Sequence, residues 1–373
     1  MERHNGNETQ LKTLIMKTID WYIIGKFLGT FFYAITLIIV VVIIFDISEK
    51  IDDFIESQAP VKLIVTEYYM NFIPYFVNLF SPLFTFIAVI YFTSKMASNL
   101  EIVAILSSGM SFTRMLLPYM IGAIVITILS LALNNFVIPE ANKNRLAFEE
   151  TYIRSRFYNM DRNIHKQLDP TTFVYFERFD NFRNLGYKFS IEKIVDGQLT
   201  YKLLSEFIRW DSTTNKWSIE DYYIREINGL EETLTRGTKL DTSLGIHPSE
   251  FARRINTIET MDYFKLSEFI DIEKQKGSEK VVFYEIEMHK RFSLPFATIV
   301  MTLIGVSLAS RRVKGGIGFH LGLGLLISFS YILFMQVSLT FATNANLSPF
   351  VAMWIPNVLF IGLALYLLKL APK

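Results

Sequence analysis

Long stretches without a formal charge alternate along this chain with one stretch crowded with charges. Phe27 to Phe45 runs 19 residues between Lys26 and Asp46, Tyr68 to Ser94 runs 27, Met115 to Pro139 runs 25, and Phe292 to Ser310 runs 19. Gly315 to Leu368 then holds 54 residues without Lys, Arg, Asp or Glu. A bilayer crossing takes about 20 predominantly apolar residues. The last stretch therefore holds two crossings, with Thr343-Asn344-Ala345-Asn346-Leu347-Ser348-Pro349 as the turn between them. The pattern predicts six transmembrane helices, three on each side of the charged stretch. Runs of this number and length do not fit the core of a water-soluble protein. The first run is too long and starts too late for a secretory signal. Acidic Asp46-Ile47-Ser48-Glu49-Lys50 stands where a small-residue cleavage site would be.

Between the third and fourth spans the period changes. Thr171–Glu177, Tyr187–Val195, Leu199–Trp210, Lys216–Ile227 and Leu230–Thr235 are rich in β-branched and aromatic residues. Turn signals separate them at Asp180-Asn181, Asp196-Gly197, Asp211–Asn215 and Asn228-Gly229. Short strands at this spacing predict an all-β domain, a sandwich, barrel or jelly roll. Alternation puts Phe173, Tyr175 and Glu177 on one face. Met261–Lys276 reads as a helix stopped by Gly277, and Glu279–Arg291 as a helix running into span 4. The expected fold is thus an α-helical membrane protein of 3+3 spans with an inserted, jelly-roll-like β domain. Its divisions are an N-terminal segment 1–26, spans 1–3 over 27–139, the β domain over 140–286, and spans 4–6 over 287–373.

Charge sharpens this division. Of 73 charged residues, 47 (22 Lys/Arg and 25 Asp/Glu) fall in 140–286, and the other 226 residues carry 26. A membrane protein with one water-exposed domain segregates charge in this way. The net charge of +1 gives no basis for nucleic-acid binding. The absence of cysteine excludes a disulfide scaffold, thiolate zinc sites, iron–sulfur clusters and a cysteine nucleophile. Orientation follows from Lys and Arg in short flanks. Arg3, Lys12, Lys17 and Lys26, then Lys95 and Arg114, then Arg311, Arg312 and Lys314, and finally Lys369 and Lys373 all fall on one side if both termini are cytoplasmic. The acidic loop after span 1 and the whole of 140–286 then lie outside the cytoplasm.

Enzymatic signatures are missing. Gly315-Gly316-Ile317-Gly318 lacks the Lys-Ser/Thr of a phosphate-binding loop, and its glycines suit close helix packing. The five histidines, at 4, 165, 247, 289 and 320, show no ligand spacing. His320 is expected to face the bundle interior. No metal or cofactor is implied, and no Asp or Glu inside a span marks an ion pathway.

Three features remain. Ser98 with Glu101 has the spacing of a capping box, and Gly109 that of a helix stop. Segment 98–109 is then a short cytoplasmic helix with Ile102, Ile105 and Leu106 as its apolar edge. It reads either as a helix lying on lipid or as a docking helix for a cytoplasmic partner. On the outer side, Lys50, Lys143, Arg145, Lys290 and Arg291 are either snorkelling residues ion-paired with Glu140 or Glu287, or ligands for lipid phosphates. Pro74, Pro82 and Pro118 predict kinks in spans 2 and 3. The β domain is either a structural cap or an open fold whose apolar groove, at Phe173 and Tyr175, takes a lipid chain.

The order of three spans, an outer β domain and three more spans resembles the lipopolysaccharide export permease family, LptF/LptG. Glu101-Ile102-Val103 through Ser108-Gly109, and Phe112-Thr113-Arg114-Met115, resemble that family's loop between spans 2 and 3. Phe173-Val174-Tyr175-Phe176-Glu177-Arg178 resembles an early strand of its periplasmic domain, and His289-Lys290-Arg291-Phe292-Ser293-Leu294-Pro295 its approach to span 4. The likeness covers nearly the whole chain after residue 17. Asp20, Ile24, Gly25 and Lys26 lean toward the LptG member.

The resemblance implies a permease subunit, not an enzyme, of an ATP-driven exporter in the inner membrane. A homologous permease would face it, with two cytoplasmic ABC ATPase subunits beneath, which makes 98–109 an ATPase-coupling helix. Lipopolysaccharide would enter laterally through gates at spans 1 and 5. It would then pass to the jelly-roll domain and on to a single-span periplasmic bridge protein similar to LptC. The family's basic residues in the outer part of span 1 have no counterpart before Lys50. Rival readings are the permease of another ABC export system, moving lipoprotein or peptide, and a membrane scaffold with an outer adhesion domain.

Overall fold

The computed structural model describes residues 16–153, 161–251, 255–278, 280–311, 313 and 315–371. Arg3, His4, Lys12, Glu279, Arg312, Lys314 and Lys373, together with most of the N-terminal segment 1–26, lie outside the described residues. The chain forms two compact units, one within Met1–Phe148 and Glu285–Lys373, the other Glu149–Tyr284.

The first unit is helical. Six helices are long and apolar enough to cross a membrane: α1 (Thr18–Glu56), α2 (Val61–Ser98), α4 (Phe112–Tyr152), α6 (Val281–Ala309), α7 (Gly316–Asn344) and α8 (Pro349–Leu370). Between α2 and α4 lies the short α3 (Glu101–Ser107). α1, α2, α4 and α6 extend well past their charge-free windows. At a rise of 1.5 Å per residue, the 39 residues of α1 reach ~58 Å, about twice a bilayer core.

α1 presents a single stripe to the bundle: Ile23, Phe27, Phe31, Ile35 and Ile39, spaced by four, are buried. Of these, Ile23, Phe27 and Phe31 cluster with Phe92 and Met96 of α2 and Met115, Tyr119 and Ala123 of α4. A second cluster joins Phe86 and Ile90 of α2 to Val300 and Ile304 of α6, Tyr331 of α7 and Phe360 of α8, so α2 is shared by both. Close approach uses small residues: a Cβ at Gly122 would lie 2.5 Å from the Phe27 ring.

Proline does not interrupt the helices, which run continuously through Pro74, Pro82, Pro118, Pro295 and Pro356. Pro295 has no N–H for the Arg291 carbonyl, four residues back. Asn134 of α4 supplies the missing donor at 3.2 Å. Asn134 also accepts from Asn78 of α2 at 2.7 Å, and Asn78 in turn accepts from Ser130. A second polar junction ties Asn357 to the Tyr331 hydroxyl at 3.1 Å and to the Ser293 carbonyl at 2.9 Å.

The second unit is built on one antiparallel sheet with strands β1 (Arg162–Gln167), β2 (Thr172–Asp180), β3 (Leu185–Val195), β4 (Gln198–Asp211), β5 (Lys216–Asn228) and β6 (Glu231–Thr242). Among the described residues each strand pairs with the next in sequence, so the expected all-β insert is an antiparallel meander with hairpin connections. All five expected strands are present, and β1 is additional. Asp196 and Gly197 both have positive φ (52° and 77°), the requirement of a two-residue hairpin turn. The pleat sends Val174, Phe176, Phe189, Leu203, Ile208 and Trp217 to one face, where Leu244, Ile246 and Phe251 close the core. The Trp217 indole N–H donates to the Ile246 carbonyl at 2.8 Å. The helix α5 (Tyr263–Gln275) starts at Asp262, which accepts the Lys265 N–H, and ends before Gly277 at φ 65°.

Candidate functional site

The loop between α2 and α4 gathers one set of expected site residues. α2 runs through Ser98, whose hydroxyl donates back to the Ser94 carbonyl at 2.9 Å. The break comes at Leu100, whose backbone is left-handed at φ 63°, and α3 then starts at Glu101 without a side-chain cap. The expected capping box is therefore absent: a capping serine needs extended backbone, and Ser98 is helical. Gly109 does end the segment, at φ 87°.

The Glu101 carboxylate instead accepts from the Tyr22 hydroxyl of α1 at 3.1 Å and the Asn99 side-chain amide at 3.0 Å. Ile102 and Ile105 are 1% and 8% exposed, and Leu106 packs beside them in the core with Phe27, Met96 and Met115. This corrects the expected apolar edge, which faces the bundle and is not open to a partner. The physical reason is covering: the starts of α1 and α4 lie over that side. The exposed side of α3 consists of Leu100, Val103, Ala104 and Ser107. Beside the loop, Asp20 of α1, 1% exposed, is bound by both guanidinium nitrogens of Arg114 in the first turn of α4, at 2.7 and 2.6 Å.

The five basic residues expected near lipid phosphates each have a partner inside the first unit. Lys50 binds Asp46 at 2.8 Å and lies over the Tyr68 ring, with its ammonium against the Tyr68 hydroxyl. Asp46 is buried and also accepts from the Tyr68 and Tyr69 hydroxyls at 3.2 and 3.1 Å. A π-helical turn, Ile64–Tyr69, aims the two neighbouring tyrosines at one carboxylate. Lys143 pairs with Glu140 and Arg145 lies 5.4 Å from the centre of the Tyr75 ring. Lys290 and Arg291 flank Glu287 at 3.6 and 3.9 Å, and Arg291 is 4% exposed. Ion pairing, one of the two sequence readings, is what the structure contains at Lys143, Lys290 and Arg291. Of the three lysines, Lys143 and Lys290 have the more exposed side chains.

Phe173 and Tyr175 are half-buried on the sheet face opposite Val174 and Phe176. They line a cleft of about 600 Å³ with Leu204 and Tyr223, and with the charged Lys188, Glu192, Lys202 and Glu206. Tyr175 donates to Asn163 at 2.8 Å. The cleft is amphipathic, not the uniformly apolar groove expected.

Two further features escaped sequence reasoning. Glu250 accepts from Lys166 at 2.9 Å and Lys276 at 2.8 Å. Burial pushes its carboxyl up, but the two lysines outweigh burial and hold it at about 2. The Asp46–Lys50 pair had a sequence signal, the i,i+4 spacing of opposite charges on a helix. His320 is buried against the Ser94 hydroxyl at 2.7 Å, as a bundle-facing polar residue. Among the described residues no group of three His, Cys, Asp or Glu is placed to hold a metal ion.

None of the curated proteins matches this chain. One family model does, described as lipopolysaccharide export system permease LptF/LptG, and it matches residues 21–370. That range takes in all six membrane helices, the inserted antiparallel sheet and the α3 loop, so the chain belongs to the LptF/LptG family of lipopolysaccharide export permeases.

Proposed function

We propose that the chain is one of two permease halves of an ATP-driven exporter, standing in the inner membrane with both termini cytoplasmic. It takes lipopolysaccharide from the outer leaflet and passes it through the β unit toward an LptC-like bridge. The observation that carries this reading is uneven burial of the six helices. Only 22% of the apolar window is buried in α1 and in α7, against 67% in α6. Phe32, Tyr33 and Phe45 of α1 and Phe329, Leu333 and Phe341 of α7 face outward. Helices this exposed suit a second permease and a passing lipid, with spans 1 and 5 as gates. The second unit carries the charge and the cleft, which suits work in water.

ATP hydrolysis belongs to separate cytoplasmic subunits. The exposed side of α3, with Glu101 at its start, is the surface for them, replacing the inward edge expected from sequence. Contacts to lipid phosphates fall to Lys143 and Lys290, whose side chains are more exposed than that of Lys50. Lipid-stimulated ATP hydrolysis by the purified complex tests all of this. The chain should co-purify with a second permease and an ATPase. Glu101→Lys should uncouple hydrolysis from release or prevent assembly, while the protein inserts normally. Lys143→Glu combined with Lys290→Glu should lower the lipid stimulation. Purification of a stable lone chain would instead support a scaffold, and a Glu101→Lys complex that exports like the parent would remove the ATPase role of α3.

A further inference from the structure

Side-chain alternation in the second unit slips by one residue along a line across the sheet. In β2, Val174 and Phe176 are buried in the core, and so, three residues after Phe176, is Phe179. In β3, Phe189 lies in the same core. Gly186 faces it too, since a Cβ there would come within 2.6 Å of the Phe176 ring and 2.7 Å of Ile208. A strict period of two would turn only one of two consecutive residues away from the core. The slip turns both away: Glu177 with Arg178, and Tyr187 with Lys188. The backbone is left-handed at Lys188, with φ 47°, and at Asn163 of β1, with φ 54°.

The slip concentrates charge. Arg162 of β1 stands directly opposite Arg178, and Lys188 pairs with Glu177 at 2.8 Å. Lys188 holds the Glu177 carboxyl below its ordinary range, and Arg162 and Arg178 add to that effect. Lys188 in turn feels Glu177 first and Glu206 after it. The nearby acids Asp161 and Asp180 are engaged elsewhere, by Lys280 at 2.6 Å and by the N–H groups of Phe182 and Arg183. Among the described residues no carboxylate forms an ion pair with Arg162 or Arg178. Like charges directly opposite one another on a sheet are unfavourable, and an anion between them removes that cost. Arg178 is also held in place, its guanidinium 4.0 Å from the centre of the Tyr187 ring. Stacking uses the flat face of the guanidinium and leaves the N–H fork at its edge. Lys188 lines the cleft together with Phe173, Tyr175, Leu204 and Tyr223, so the cationic group adjoins an apolar surface.

We propose that Arg162, Arg178 and Lys188 form an anion subsite at the rim of the cleft. It takes a phosphate monoester carried by an amphiphile whose apolar part lies against Phe173, Leu204 and Tyr223. A phosphate monoester has nearly two charges and three acceptor oxygens. It can therefore meet a guanidinium fork and a second cation together, which the single charge of Glu177 does not. Tyr187 is a positioning residue that sets the Arg178 fork. The subsite rests on the reading of the β unit as part of the lipid path. It is separate from Lys143 and Lys290, which belong to the first unit.

A photo-crosslinker at Tyr175, in the assembled complex during ATP turnover, reports what occupies the cleft. The probes are lipopolysaccharide and the same lipopolysaccharide after phosphatase treatment. The parent should capture the untreated form more strongly. Arg162→Gln combined with Arg178→Gln should lower capture of the untreated form at least about threefold and leave the treated form unchanged. Arg178→Lys keeps the charge but loses the fork, and should give a smaller loss. Tyr187→Ala should also lower capture of the untreated form, whereas Tyr187→Phe, which keeps the ring, should not. An equal loss with both probes would mean that the arginines only shape the cleft. That result, or no loss with either probe, would overturn the subsite alone. Millimolar inorganic phosphate that abolishes the difference between the probes, where potassium chloride of equal ionic strength does not, would assign the site to free phosphate and overturn its lipid role. With no capture of either probe in the parent, the reading of the cleft falls and the subsite falls with it.

Discussion

Glu250 shows how far a single side chain departs from what its neighbours in sequence suggest. It follows Ser249 in a 3₁₀ turn, yet its carboxylate closes a bridge between Lys166 of β1 and Lys276 after α5. Burial alone would raise its pKa, and the two ammonium groups bring it down to about 2. A group depressed in the folded state contributes stability above its unfolded pKa, which is about 4.3 for Glu. That contribution is lost as pH falls through the folded value. Glu250→Gln should therefore melt lower than the parent at pH 7, by no more than about 3 kcal/mol at this shift. The gap should narrow between pH 5 and pH 2 in thermal melts of the full chain. A gap constant across that window would mean that the charge is not what holds the bridge. At this scale the sequence is least informative. Ser98 and Glu101 have the spacing of a capping box, but spacing does not say that Ser98 is still helical or that Leu100 turns left-handed. Tyr22 and Glu101 meet across 79 positions, a pairing that only packing decides.

Secondary elements were far more legible, because solvent writes their pattern directly. All six membrane helices were marked by charge-free runs, yet hydropathy reports the bilayer and not the helix. It therefore missed the extension of α1 to Glu56 and of α4 to Tyr152. β1, Arg-Asn-Ile-His-Lys-Gln, carries one β-branched residue and no alternation. It is a strand because β2 offers it an edge. Asn134 links two of the membrane helices. Its amide donates to the Arg291 carbonyl, to which Pro295, four residues on, has no N–H to give. Asn134→Ala should destabilise the bundle by about 0.6–1.7 kcal/mol, the range for hydrogen bonds between membrane helices. Pro295→Ala restores an N–H at that carbonyl, so the double variant should recover part of the loss. Unfolding in mixed micelles measures both, and strictly additive effects would show that the amide does not stand in for the proline.

For the molecule as a whole, the sequence separated a charged domain from an apolar bundle, but it could not say which side of the sheet is closed. The meander buries Val174, Phe176, Phe189 and Leu203 under Leu244, Ile246 and Phe251. That leaves Phe173, Tyr175, Leu204 and Tyr223 on the open side, ringed by charged residues. An acyl chain in transit loses about 0.8 kcal/mol for each CH₂ returned to water, so it takes whichever apolar surface is available. The open cleft has a volume of about 600 Å³, suited to a portion of a multi-chain lipid rather than to all of it. The closed face could take more, but only if Phe251 and its neighbours left Phe176 and Phe179, which they contact through stacked and edge-on rings. The two routes make opposite predictions. If lipid travels along the existing cleft, photo-crosslinkers at Phe173 or Tyr175 should capture lipopolysaccharide during ATP turnover, whereas those at Phe176 or Phe179, in the closed core and away from the cleft, should not. Capture from Phe176 and Phe179 alone would mean that the core face opens to carry the lipid. The sheet would then act as a valve, with Phe251 as part of its closure, and the cleft would have no part in transport.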